Sequence, residues 1–164
     1  MEKQNIRQAV RKVYAYGYRI VSTAVIVCGI LLAALYLCGI RLYHVKSGSM
    51  GELMPVGSVC FVSTYSSFDS IRAGDIISFR VDDIKVTHRA ISVTPEGIIT
   101  QGDMNDSADP DPVTKDTYIG KTVFALPHFG NALGFFQTLK GKVTLGICIL
   151  LLILAGFLYK PESE

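Results

Sequence analysis

The sequence carries little net charge and few cysteines. Its 164 residues include 16 lysines and arginines against 14 aspartates and glutamates, a formal net charge of +2. So small an excess does not indicate a nucleic-acid partner, which would require clustered positive charge. Three of the four cysteines, Cys28, Cys38 and Cys148, lie in long apolar runs, where cysteine behaves as a small hydrophobe. Only Cys60 lies outside them, which excludes an internal disulfide there. Its setting, Val59 to Val62, predicts a buried packing role.

The sequence also lacks internal repeats, low-complexity tracts and a clear amphipathic helix. It has instead two long apolar runs without a charge: 21 residues from Ile20 to Ile40 and 17 residues from Val143 to Tyr159. About 20 apolar residues cross a bilayer as a helix, and about 17 is the lower limit, so both runs are predicted to be transmembrane helices. For the second run, a buried core helix is the alternative.

The first run could instead belong to a cleaved signal peptide, because basic residues precede it. However, it is longer than the apolar region of such a peptide, and Ile40 to His44 offers no small-residue cleavage site. We therefore interpret it as an uncleaved signal anchor.

Charge on either side of the anchor predicts the orientation. Residues 1–19 have five basic side chains and one acidic, whereas residues 41–142 have ten basic and eleven acidic. The positive-inside rule then places the N-terminus in the cytoplasm of a multi-pass protein of the cell membrane, or of the endoplasmic reticulum membrane in a eukaryote. The predicted division is a cytoplasmic segment (1–19), a signal anchor (20–40), an extracytoplasmic domain (41–142), a second transmembrane helix (143–159) and a cytoplasmic tail (160–164).

The extracytoplasmic segment is predicted to be mainly β. Short runs rich in β-branched and aromatic residues alternate with turn residues, at Ser58–Thr64, Ile76–Val81, Ile84–Val93, Ile98–Gln101 and Tyr118–Leu126. Strands at this spacing favour an antiparallel β-sandwich or a partly closed barrel.

Two residues in this segment could take part in nucleophilic chemistry. Ser49 lies nine residues after the anchor, but a serine needs a neighbouring base to become a nucleophile. His88 lies within a predicted strand, where alternation places it on one face with Val86 and Ala90. A half-buried structural histidine is the alternative for His88. The other two histidines, His44 and His128, are interpreted as residues near the membrane surface.

The loop from Gln101 to Asp111 contains four carboxylates within nine residues. It is either a solvated loop, a calcium site or the source of a catalytic carboxylate. The glycine, the closing glutamate and the flanking helices of an EF-hand are missing, so we predict no metal site. A serine, a histidine and a carboxylate are the parts of an acyl-transfer triad, which is defined by geometry rather than by chain order.

Four short motifs occur in one order along the chain: Ser47-Gly48-Ser49-Met50, Gly74-Asp75-Ile76-Ile77-Ser78-Phe79, Thr87-His88-Arg89 and Gly102-Asp103-Met104-Asn105. Together they resemble the type I signal peptidases, in the endoplasmic-reticulum-type branch that also occurs in Gram-positive bacteria and archaea. The resemblance covers about Val45 to Leu126, and two flanking spans fit forms of that branch. It implies a membrane-bound serine endopeptidase that removes signal peptides from exported preproteins and uses no cofactor.

The resemblance also implies roles for individual residues. Ser49 would be the nucleophile and His88 the general base, at a position where the bacterial housekeeping branch has a lysine. Two aspartates six positions apart in that family map onto Asp103 and Asp109. We assign Asp109 to orient His88 and Asp103 to support the site, although the sequence leaves the opposite assignment open. Ser47 resembles the side-chain donor that helps to bind the oxyanion.

One departure from the family pattern stands directly after the nucleophile. The usual Ser-Gly-Ser-Met-Glu-Pro is replaced here by a sequence in which Gly51 and Glu52 follow Met50, and Gly51 gives the backbone more freedom. This departure supports the alternative of a non-catalytic, membrane-tethered β-domain, or of an inactive homologue that serves an assembly. Self-cleaving regulators with a related β-fold are disfavoured, because the chain has no DNA-binding segment and no cleavage linker.

The expected partners follow from the resemblance. They are the signal peptides of exported preproteins, the membrane itself, and translocon or accessory subunits, but no nucleic acid. A signal peptide is expected to bind as an added β-strand, with small residues one and three positions before the cut.

Overall fold

The computed structural model describes residues 2–158. The chain divides into two compact units: a β unit, Leu35–Phe135, and a helical unit made of the described residues on either side of it. The predicted tail at 160–164 and the last residue of the second predicted span, Tyr159, lie outside the described residues.

The described part of the chain contains three α-helices, α1 (Glu2–Leu37), α2 (Gly130–Gln137) and α3 (Leu139–Leu158). Two of them, over Arg11–Leu37 and Leu139–Gly156, are long and apolar enough to cross a membrane. Helix α1 runs without a break from the predicted cytoplasmic segment into the predicted anchor, as far as Leu37. Helix α3 begins four residues before the predicted span, and α2 was not predicted.

Six strands follow α1: β1 (Ile40–His44), β2 (Val59–Ser63), β3 (Ile76–Val81), β4 (Ile84–Thr94), β5 (Gly97–Gln101) and β6 (Tyr118–Leu126). They form one antiparallel sheet in the order β1-β2-β6-β3-β4-β5. The prediction of a mainly antiparallel β domain is confirmed. The sheet is not closed, and among residues 2–158 no second sheet faces it, so a sandwich is not shown.

Helix α1 ends three residues before the predicted end of the first span. Helix α1 ends at Leu37, and Gly39 then adopts a φ of +75°, a left-handed conformation that glycine tolerates. Ile40, counted in the predicted span, begins β1 and pairs with Ser63 of β2. The β unit therefore begins within the last turn of the helix, and its first strand begins at Ile40, directly after Gly39.

Two buried clusters support the sheet. The first contains Met50, Met54, Cys60 and Val62, and the second contains Ile71, Ile77, Phe79, Ala90, Ile98 and Val113. The prediction that Cys60 is a buried packing residue is confirmed, and burial raises the pKa of its thiol. Each cluster contains a residue close in sequence to a candidate site residue. Met50, in the first cluster, directly follows Ser49, and Ala90, in the second, lies two positions after His88. The core therefore fixes the backbone at both places.

Candidate active site

Ser49 is held by a short segment that leaves β1 and turns into the first cluster. The backbone of Val45 donates to the carbonyl of Ser58 at 2.9 Å and accepts from the N–H of Gly57 at 2.9 Å. Met50, the next residue after Ser49, is 3 % exposed. Ser49 itself is only half-buried. Its backbone is therefore anchored on both sides while its hydroxyl stays accessible.

Gly51, the departure from the family pattern, has a local structural reason. Its φ is +58°, in the left-handed region, and its N–H donates to the carbonyl of Gly48 at 2.9 Å. This hydrogen bond closes a turn around Ser49 and Met50. The glutamate that the family pattern places at this position would adopt this φ less readily than glycine does. The turn that presents the serine is therefore closed by the backbone, and glycine provides the conformation it needs.

A second segment packs directly on the serine. The N–H of Met104 donates to the carbonyl of Ser49 at 2.8 Å. A Cβ added to Gly102 would lie 2.8 Å from the carbonyl oxygen of Ser49 and 2.9 Å from its Cβ. The motif Gly102–Asn105 is therefore part of the support of Ser49, and glycine is required at its first position by this close approach.

Replacing Gly102 with alanine is expected to displace Ser49 and to reduce any Ser49-dependent reaction by about 10²-fold, the typical effect of moving a reacting group by about 1 Å. Gly29→Ala is the matched control, because an added Cβ there meets nothing within 4 Å apart from the adjacent residues and backbone of its own helix. The rate constant of a single turnover measures the effect. Equal rates for the two variants would contradict the proposed packing role of Gly102.

His88 lies in the middle of β4, opposite Ile77 of β3. It is 8 % exposed, and its ring meets the edge of Phe79, with the centroids 6.2 Å apart. Ala90 is fully buried on the same face, whereas Val86 is only half-buried. The sheet and the Phe79 ring leave the imidazole little freedom to rotate.

The imidazole joins the serine to a carboxylate. His88 Nδ1 lies 2.7 Å from Asp109 Oδ2, and His88 Nε2 lies 3.0 Å from Ser49 Oγ. An ionised carboxylate can only accept hydrogen bonds, so Nδ1–H donates to Asp109. In the neutral ring Nε2 then carries the lone pair and accepts the Ser49 O–H. This is the arrangement in which a histidine can remove the proton of a serine.

The two aspartates of the loop have different partners. Asp109 Oδ2 also accepts from Thr100 Oγ1 at 2.6 Å, and the Asp109 N–H donates to the carbonyl of Thr100 at 2.7 Å. Asp103 instead receives two hydrogen bonds from Arg89, at 2.8 and 2.7 Å. These bonds raise the pKa of the Arg89 guanidinium. The structure thus places Asp109, and not Asp103, against His88.

Two groups near Ser49 can stabilise a negative oxygen. Ser47 Oγ lies 3.3 Å from Ser49 Oγ, and Ser47 is exposed. The backbone N–H of Ser49 has no acceptor within the described part of the chain. An N–H and an O–H beside one nucleophile are the donors that an oxyanion requires.

The remaining histidines lie outside this cluster. The ring of His44 packs against Gly130 and Gly134 of α2, a contact that the sequence did not indicate. His128 has a φ of +66° at the turn that precedes α2. Among residues 2–158, no group of three or more histidines, cysteines or carboxylates is arranged to hold a metal ion.

Two unpaired backbone edges border the site, and the sequence did not predict them. Within residues 2–158, strand β1 pairs with β2 and with no other strand, and β4 pairs with β5 only from Arg89 onward. The edge of β1 leads into Ser49, and the free edge of residues 84–88 ends at His88. We call the space between these two edges the slot.

A cleft of about 400 Å³ lies on another side of the imidazole. His88 and Asp109 contribute to its wall, together with the apolar side chains of Phe79, Val86 and Val113. No family model and no curated protein matches the chain. The geometry of Ser49, His88 and Asp109, together with the slot, is therefore the basis for the function proposed below.

Proposed function

We propose that this chain is a membrane-bound serine endopeptidase of the signal-peptidase type, which removes signal peptides from exported preproteins. The observation that carries the proposal is the continuous hydrogen-bonded chain from Asp109 through His88 to Ser49, with contacts of 2.7 and 3.0 Å. These three residues come from three separate parts of the sequence. In an acyl-transfer triad, a carboxylate likewise contacts a histidine, and that histidine contacts the nucleophilic hydroxyl.

In the proposed reaction, Ser49 Oγ attacks the carbonyl carbon of the scissile peptide bond while His88 Nε2 takes its proton. His88 then gives that proton to the leaving amine, and the C–N bond breaks to leave an acyl-enzyme on Ser49. A water molecule, deprotonated by His88, attacks the ester and releases the acyl product, and the proton returns to Ser49. Asp109 holds the ring and stabilises its positive charge during each transfer.

Ser47 is proposed to donate its O–H to the oxyanion beside the Ser49 N–H. Ser47→Ala is expected to lower kcat by about 10²–10³-fold, the usual effect of losing one such donor. KM should change little, because the bond forms mainly in the transition state. Steady-state cleavage of a precursor by the full chain in liposomes measures both constants. A rise in KM with unchanged kcat would contradict the oxyanion role.

The slot supports peptide hydrolysis over the hydrolysis of a small ester. Its two unpaired edges offer backbone donors and acceptors on both sides of an extended chain, which is how strand addition binds peptides. The sheet is proposed to curl toward a partly closed barrel around this slot. Side-chain pockets beside it would accept the small residues one and three positions before the cut.

Two further features support a membrane substrate. The helices over Arg11–Leu37 and Leu139–Gly156 are apolar enough to anchor the chain in a bilayer. Only eleven residues lie between the end of α1, Leu37, and Ser49. We propose that both helices span the membrane, with both ends cytoplasmic and the β unit outside. There it would meet signal peptides that the translocon, or accessory subunits, deliver.

The proposal is tested with the purified full-length chain in liposomes and a precursor that carries a signal peptide. We expect one cut at the end of the signal peptide, identified by the N-terminal sequence of the product. The control precursor has bulky residues one and three positions before the cut and should stay intact. Absence of cleavage of both precursors, or cleavage of both at scattered positions, would contradict the proposed function.

A further inference from the structure

One side-chain contact closes the slot between its two free edges. Lys85 Nζ lies 4.4 Å from the centroid of the Tyr43 ring, although three strands separate β1 from β4 in the sheet. This contact is possible only because the sheet curls and brings the edge strand β1 close to the unpaired part of β4. A peptide that enters the slot as an added strand must pass this pair.

Lys85 is available to interact with such a peptide. Its side chain is exposed, and within the described part of the chain its partner is the Tyr43 ring, not a carboxylate. A cation–π contact at an exposed site is weak, of the order of 0.5–1 kcal/mol. The Tyr43 ring has no net charge, so it does not neutralise the positive charge of the Lys85 ammonium. A carboxylate of a bound peptide could therefore pair with Lys85 without breaking an existing ion pair.

The position of Lys85 also fixes where along the peptide this interaction would occur. Lys85 precedes His88 by three residues on β4, and a strand rises about 3.3 Å per residue, so the two lie roughly 10 Å apart along the slot. A peptide paired with this edge advances by the same distance per residue. The side chain that meets Lys85 is therefore about three residues from the bond that Ser49 attacks.

We propose that Lys85 is a specificity-determining residue that selects peptides with an aspartate or glutamate near the third residue from the cut bond, at a position other than those that take small residues. The same charge disfavours lysine and arginine at that position. This inference rests on the proposed function, because it assumes that a peptide occupies the slot. It adds a preference for charge to the preference for small residues.

The test measures binding and cleavage separately. Full-length Ser49→Ala protein in liposomes is titrated with fluorescent peptides that differ only in having glutamate, glutamine or lysine at one position. That position is moved from two to four residues on either side of the cut, except for the third residue before it, which stays small in every peptide. The same peptides are offered to the unaltered chain to record cleavage. The Kd of each peptide is measured again for Ser49→Ala combined with Lys85→Glu or with Lys85→Met.

Lys115→Glu is the matched control. Lys115 is also a lysine over an aromatic ring, with its Nζ 5.9 Å from the centroid of Phe68, but it pairs with Asp69 and lies on neither edge of the slot. The Lys115→Glu substitution changes the net charge of the chain by the same amount as Lys85→Glu. General attraction between peptide and protein charges is therefore altered equally in the two variants.

When the varied residue is the one that meets Lys85, we expect the glutamate peptide to bind about tenfold more tightly than the lysine peptide. Attraction between exposed opposite charges and repulsion between exposed like charges each change binding by a few-fold. Lys85→Met should remove the preference and Lys85→Glu should reverse it, while Lys115→Glu should keep it. Equal Kd values for all peptides, or a preference that survives in Lys85→Glu, would overturn the role of Lys85 but not the proposed function. Peptides that neither bind nor are cut would overturn both.

Discussion

Ser49→Ala is expected to lower the single-turnover rate of precursor cleavage by about 10⁵-fold or more, because no covalent acyl intermediate can form. Ser49 Oγ is the hydroxyl that His88 Nε2 contacts. The hydroxyl of Ser47 lies 3.3 Å from Ser49 Oγ and does not take over the contact with His88. The measurement uses excess full-length protein in liposomes and follows the appearance of the mature product.

Ser107→Ala is the matched control, since Ser107 is an exposed serine of the acidic loop. It should cleave at the rate of the unaltered chain. Ser49→Ala should unfold at nearly the same temperature as the unaltered chain, which separates loss of chemistry from loss of structure. Cleavage by Ser49→Ala within a few-fold of the unaltered rate would contradict the assignment of the nucleophile.

Asp109→Asn is expected to lower kcat/KM by about 10³–10⁴-fold, because an amide at this position does not fix the His88 tautomer and does not stabilise the imidazolium. His88 Nδ1 and the Thr100 hydroxyl both contact Asp109 Oδ2, so an amide oxygen at that position keeps both contacts but carries no full negative charge beside the imidazolium. When the amide NH₂ occupies that position instead, it donates to His88 Nδ1, and the ring presents N–H rather than a lone pair to Ser49.

Asp103→Asn makes the same chemical change in the same loop. Asp103 contacts Arg89 and not His88, and its ion pair is about one-third exposed. Such pairs contribute little, so we expect a loss of about fivefold in kcat/KM. Kinetics of the two variants with one precursor measure the difference. A larger loss for Asp103→Asn than for Asp109→Asn would reverse the roles of the two aspartates.

The fold was predicted well wherever local pattern determines the structure. Strands β3 and β6 begin and end at the predicted residues, because turn residues border both of them. Strand β1 was missed because its first residue, Ile40, continues the apolar run of α1 without a polar break, and the five residues are few for a pattern. It forms because Gly39 ends the helix and β2 supplies a partner 19 residues later. That pairing is non-local and leaves no periodic signal in Ile40–His44.

Helix α2 was missed for a related reason. It is short, and two of its eight residues are glycines, which disfavour an isolated helix. In the structure the Gly130 N–H donates to the carbonyl of Gly57 at 2.7 Å, and the ring of His44 fills the space that Gly130 and Gly134 leave. Tertiary contacts, rather than helix propensity, account for α2.

The candidate site was only partly accessible from the sequence. The motifs supplied Ser49 and His88, but they could not separate two aspartates in one loop. The structure separates them because Arg89 and His88 are neighbours on β4 whose side chains reach different parts of that loop. The slot was not predicted, since an unpaired edge depends on how far each neighbouring strand extends.

The central claim is that His88 activates Ser49 in the folded chain. The most direct measurement is mass spectrometry of the full-length protein after treatment with a reagent that acylates active-site serines. We expect one label per chain, on Ser49, and loss of that label in His88→Ala and after denaturation. A folded chain that stays unlabelled at Ser49, or one that is labelled equally well without His88, would contradict the account.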